Sequence, residues 1–129
     1  MGRKIMIVDD APVARLMLKD ILQHYNYEIV AEARNGNEAV EKYKRFRPDL
    51  TTLDVAMPEK DGIEALEEII AFDKNAKVVM ATAIDQRDSL MKAIKLGAVD
   101  YIVKPFEDDR VISAVSKALS STLDLRIVR

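Results

Sequence analysis

Two hydrophobic periods alternate along this chain. Short apolar or β-branched runs give way, five times over, to longer segments whose apolar residues recur at helical spacing, as expected of strands followed by amphipathic helices. The first run, Lys4–Val8, ends at Asp9-Asp10, and Val13, Leu16, Met17, Asp20, Ile21 and Tyr25 then recur at helical spacing with only Asp20 polar. Glu28–Ala33 predicts a second strand. Asn35-Gly36 would suggest a hairpin if another strand followed, but Ala39, Val40, Tyr43 and Phe46 recur at helical intervals, so the turn leads into a helix over Glu38–Phe46. Pro48 stops that helix, and Leu50–Leu53 is a third strand, whose Thr51-Thr52 pair is unusually polar for a strand buried on both faces.

After Asp54, a loop over Met57–Gly62 leads to a third helix with Ile63, Leu66, Ile69 and Ile70 on one face. Lys77–Ala81 is a fourth strand, and a fourth helix over Gln86–Leu96 is expected to turn Leu90, Met91 and Ile94 inward and to be capped by Gly97. Tyr101–Val103 is the last strand, and Val111, Ile112, Val115, Ala118 and Leu119 mark a final helix. Residues 1–123 read as one folded unit, and residues 124–129 as a tail with no place in the pattern. Regular alternation of strand and helix implies an α/β fold, a doubly wound five-stranded parallel sheet, because right-handed crossovers return each strand in the same direction. All strand C-termini then share one edge, where open α/β sheets bind ligands.

Composition narrows the chemistry. The 129 residues suit one domain, and a net charge of −2 with both signs scattered argues against a nucleic-acid surface built on bulk positive charge. No apolar run approaches the ~20 residues that span a bilayer, and the chain opens directly into Lys4–Val8 without signal-peptide architecture, so a cytoplasmic protein that binds no membrane is expected. With no cysteine and one histidine, His24, expected on the surface of the first helix, thiol catalysis and a histidine cluster for zinc are excluded. Carboxylates, hydroxyls and lysine remain.

Such residues follow successive strands: Asp9 and Asp10 after the first, Asp54 after the third, Thr82 after the fourth and Lys104 after the fifth. Crowded carboxylates repel, which raises a pKa or recruits a cation, and an all-oxygen set favours a hard ion. Mg2+ fits best, since it needs only one or two carboxylates and keeps positions for water and phosphate, whereas Ca2+ needs more protein oxygens. Threonine and lysine beside it complete a phosphate-binding set. Asp54 is the candidate nucleophile, because it stands alone after the middle strand while Asp9 and Asp10 form a pair suited to metal. Taken singly, each has a plainer reading: Asp9-Asp10 or Thr82 as helix caps, Asp54 as a loop acid, Lys104-Pro105 as a solvated turn. Their joint recurrence at the strand ends favours a site.

The sequence resembles the receiver domain of two-component response regulators, most of all the stand-alone chemotaxis type, over residues 3–120. The motifs are Ile7-Val8-Asp9-Asp10, Pro48–Asp54 with Met57-Pro58 and Asp61-Gly62, Ala81-Thr82-Ala83, and Asp100–Phe106. The resemblance implies the flavodoxin-like strand order 2-1-3-4-5, for which this family is itself a reference example. It implies that Asp54 accepts a phosphoryl group from a sensor histidine kinase, that Asp9, Asp10, Asp54 and the Ala56 carbonyl hold Mg2+, and that Thr82 and Lys104 contact the phosphoryl oxygens. It further implies a cis Lys104–Pro105 peptide and a switch made of Thr82 and Tyr101.

Ala56 and Ile84 occupy positions that tune phosphoryl lifetime in relatives, where the first often carries a longer or polar side chain. The implied protein is a cytoplasmic, monomeric signalling switch. It is not an enzyme beyond self-phosphorylation from a phosphodonor and slow autodephosphorylation. An effector, with the flagellar motor switch as one candidate, is expected on the face of the fourth helix, fifth strand and fifth helix, including Arg87, Lys92, Lys95, Tyr101 and Phe106. The alternatives are a phosphorelay shuttle, the receiver portion of a larger regulator, a degenerate docking receiver, and a haloacid-dehalogenase-like phosphatase. The last normally needs a second acid two residues after the nucleophile, where this chain has Ala56.

Overall fold

A computed structural model describes residues 2–128, with side chains over 2–120. Strands β1 (Lys4–Val8), β2 (Glu28–Ala33), β3 (Leu50–Asp54), β4 (Val78–Thr82) and β5 (Asp100–Val103) alternate with helices α1 (Pro12–His24), α2 (Gly36–Phe46), α3 (Gly62–Phe72), α4 (Arg87–Leu96) and α5 (Asp108–Val128). All strand pairs are parallel and the order is β2-β1-β3-β4-β5, the flavodoxin-like arrangement. Asp54 and Thr82 extend the predicted strands by a residue, because parallel pairing continues through Asp54 beside Ala81 and Thr82 beside Val103. Residues 124–128 continue α5, although the apolar pattern sets them apart as a tail.

Side-chain alternation splits the core in two. On one face Met6, Val8, Leu53 and Met80 pack against Ala39 and Tyr43 of α2, Leu66 and Ile69 of α3, and Ala93 of α4. On the other, Ile5, Ile7, Val79 and Ile102 pack against Leu18, Ile21 and Leu22 of α1 and Val111 and Val115 of α5. Local signals agree with this packing. Asn35 caps α2 by accepting from the Glu38 N–H at 2.8 Å, and Asp61 and Glu64 form a reciprocal capping box on α3. Gly97 ends α4 at φ 121°, a backbone conformation that costs glycine little.

Three expected faces are corrected. In α1 the buried stripe is Leu18, Ile21 and Leu22, so Val13, Leu16, Met17 and Tyr25 are exposed and only Ile21 of the predicted set is core. The helix carries two apolar stripes, and the sheet can cover one. In α4, Met91 and Ile94 are exposed because the helix seats on the sheet through Ala93, with Leu90 half-buried. Phe46 is exposed at the end of α2, beside the Arg45 guanidinium. Among the described residues no helix is long and apolar enough to cross a membrane.

Candidate functional site

The site follows from where β1, β3, β4 and β5 stop. Asp9 continues the β1 ladder through its N–H to the Ala33 carbonyl, and its carboxylate is fully buried. Asp9 Oδ1 accepts from the Ala11 N–H at 2.9 Å, while Ala11, not an aspartate, is the N-cap of α1. Asp10 is exposed beside it. Asp54 closes β3 with 3% of its surface exposed, and its Oδ1 accepts from the Ala56 N–H at 3.3 Å. Carboxylate oxygens of Asp9, Asp10 and Asp54 lie within 4.8 Å of one another.

Lys104 reaches these carboxylates from β5. Its N–H bonds the Thr82 carbonyl, the peptide to Pro105 is cis, and its Nζ lies 2.8 Å from Asp9 Oδ2 and 3.5 Å from Asp54 Oδ2. Thr82 is buried with its hydroxyl turned aside, donating to the Ala83 carbonyl at 2.9 Å. Ala56 is exposed. Its loop is closed by the Gly62 N–H on the Val55 carbonyl and tied to α2 by the Gly36 N–H on the Lys60 carbonyl. Glycine is required at 62, where a Cβ would stand 2.0 Å from the Asp54 carbonyl oxygen. Ile84 projects into solvent at 83% exposure.

Sequence reasoning brings the four charged residues together correctly but misses Arg15. Its Nη1 donates to the Asp9 carbonyl at 2.6 Å and its Nε to Glu32, bracing the β1 end from α1. No periodicity or strand-end rule points to it, because it lies on the half-buried flank of a helix. His24 is exposed on α1, as expected. Tyr101 is 38% exposed at the sheet edge and borders a groove of about 550 Å³ lined also by Thr82, Leu90, Met91, Ile94, Val99 and Val103.

Electrostatics follow from this crowding. Burial, then the charge of Asp9, pushes Asp54 up to about 7, against the opposing pull of Lys104 and the Ala56 N–H. Burial alone would lower Lys104, but its contacts with Asp9 and Asp54 outweigh it and hold the ammonium above its usual range. The one ammonium, paired with Asp9 and Asp54 in a cluster of three carboxylates, leaves a net negative pocket of oxygen donors, with neither imidazole nor thiolate. That donor set and charge fit Mg2+.

Comparisons with known proteins agree with this geometry. Residues 5–116 match the family described as response regulator receiver domain. The chain is 50% identical over 117 residues to Chemotaxis protein CheY of Thermotoga maritima, across 91% of this chain and 98% of that protein. It is 52% identical over 120 residues to Chemotaxis protein CheY of Bacillus subtilis, across 93% of this chain and 100% of that protein. Among solved structures, one chain of the CheX-CheY-BeF3-Mg+2 complex from Borrelia burgdorferi matches with a TM-score of 0.85 at 36% identity, covering 89% of this chain and 87% of that one. The parallel sheet, the strand-end acids and lysine, and these matches together make the chain a member of the response regulator receiver domain family.

Proposed function

We propose that this receiver is a cytoplasmic chemotaxis switch in which Asp54 takes a phosphoryl group from a phosphohistidine of a sensor kinase. The observation that carries this is the setting of Asp54: 3% exposed at the end of the central strand, two acids beside it, and the Lys104 ammonium at 3.5 Å. A carboxylate oxygen of Asp54 attacks phosphorus, the P–N bond breaks, and the electron pair leaves on the imidazole nitrogen. Asp9, Asp10, Asp54 and the Ala56 carbonyl would hold Mg2+, which when bound supplies positive charge to the phosphoryl oxygens. Lys104 would neutralise a further oxygen, and the Thr82 hydroxyl would leave the Ala83 carbonyl to donate to another.

Persistence of the product follows from what the site lacks. Ala56 offers no general acid or base beside the phosphoaspartate, so turnover is slow, and the phosphatase alternative loses the second acid its chemistry requires. Ala56 and Ile84, both exposed at the rim, would set water access and therefore lifetime. Movement of Thr82 would free the groove for the Tyr101 ring, changing the α4-β5-α5 face that a partner such as a flagellar motor switch reads. The chemotaxis assignment rests on the names of the relatives, and one of those proteins is bound to CheX.

The test is chemical. Incubation with acetyl phosphate and Mg2+ should add one phosphoryl mass, labile to hydroxylamine as an acyl phosphate is, and Asp54→Asn should abolish it. Labelling of Asp54→Asn at an undiminished rate would refute the assignment.

A further inference from the structure

Arg110, in the first turns of α5, makes a set of contacts that the phosphorylation site does not explain. Its guanidinium carbon lies 5.3 Å from the centroid of the Tyr101 ring. Its Nη2 donates to the Tyr101 carbonyl at 2.8 Å and to Asp100 Oδ1 at 3.2 Å. That same carboxylate oxygen accepts from the Tyr101 N–H at 2.7 Å. One guanidinium is therefore fixed to the backbone on which the ring is mounted and laid against the ring itself. Asp100 closes the arrangement by holding both the cation and the strand.

Tyr101 also borders an apolar groove lined by Thr82, Leu90, Met91, Ile94 and Val99 but not by Arg110. The ring thus has two places to go: against a half-exposed guanidinium, or into an apolar cleft lined in part by Thr82, the hydroxyl-bearing residue of the phosphorylation site. The anchors on Asp100 and the Tyr101 carbonyl do not depend on the ring's rotamer, whereas the cation–π contact exists only while the ring is outward. We propose that Arg110 is a positioning residue, a latch that holds Tyr101 outward in the unphosphorylated protein and so sets how readily the switch turns. This deepens the switch reading above and rests on it.

A cation–π contact at a partly exposed site favours the latched state by about two- to five-fold. Because phosphoryl binding and inward rotation are linked, weakening the latch tightens binding of a phosphoryl mimic, by at most the same factor. The experiment follows the Tyr101 resonance by 19F NMR in protein carrying 3-fluorotyrosine, assigned by its loss in Tyr101→Phe, with and without Mg2+ and beryllium fluoride. Wild type, Arg110→Ala and Arg110→Lys are compared.

Without the mimic, Arg110→Ala should shift the resonance part of the way towards its mimic-bound position, and Arg110→Lys, which keeps the charge but loses the planar fork, should lie between. Mimic affinity should rise in Arg110→Ala, by no more than about five-fold. General loosening of α5 would lower that affinity and overturn the latch. A wild-type resonance that moves with the mimic, beside an Arg110→Ala protein that matches wild type in both states, would overturn the latch and leave the switch standing. A wild-type resonance unmoved by the mimic would overturn both.

Discussion

Replacing Asp54 with asparagine should stabilise the metal-free protein, and the gain should depend on pH. At an effective dielectric of ~20, an oxygen of Asp9 or Asp10 at the 4.8 Å limit of the cluster repels an ionised Asp54 by about 3.5 kcal/mol. Lys104 at 3.5 Å attracts it by about 5 kcal/mol, but that ammonium is shared with Asp9 at 2.8 Å and cannot neutralise both. Burial tips the balance, and the carboxyl rises from 3.8 to about 7. The folded state therefore holds this proton more tightly than the unfolded chain does, and stability falls as pH rises from about 4 through about 7.

Ionising a carboxyl raised that far costs the folded state about 4 kcal/mol, a ceiling reached only if the pocket neither relaxes nor admits water. More than half of that cost falls above about pH 5, so the stability gap between Asp54→Asn and wild type should widen by about 1–3 kcal/mol between about pH 5 and about pH 8. Urea unfolding of both proteins in EDTA at the two pH values measures it, provided the m-values match. Excess Mg2+ at about pH 8 should close the gap, since a ligand at about a hundred times its Kd stabilises the folded state by about 2.7 kcal/mol. A gap that stays constant or narrows with pH would refute the reasoning.

Two further outcomes follow from the same structure. Thr52 is fully buried, with no hydrogen-bond partner for its hydroxyl among the described residues, so Thr52→Val should stabilise the fold by about 1 kcal/mol in urea unfolding. Asp10→Asn removes a carboxylate from the rim while the Asp9–Lys104 pair stays intact, and it should weaken Mg2+ about ten-fold or more by calorimetry with only a small change in metal-free stability.

The element order, the two-sided burial of the sheet and the strand-end position of Asp9, Asp54, Thr82 and Lys104 were legible in the sequence, for a physical reason. Period and punctuation are local, and a right-handed crossover converts them into a parallel sheet whose C-terminal ends must meet. Asn35 and Gly97 announced their helix ends because capping is decided within a few residues. Strand order came from the likeness to a known family, not from the pattern.

Tertiary structure alone decided which of two apolar stripes faces the sheet. Val13, Leu16 and Met17 make as good a helical face as Leu18, Ile21 and Leu22, and only the second set meets α5 and β1. It also decided the partners of long side chains. Arg15 on the Asp9 carbonyl and Arg110 on Tyr101 bridge different elements at distances set by packing, and nothing in their neighbours along the chain foretells it. The protonation of Asp54 belongs to the same class, because burial and two charges more than forty residues away in sequence create it.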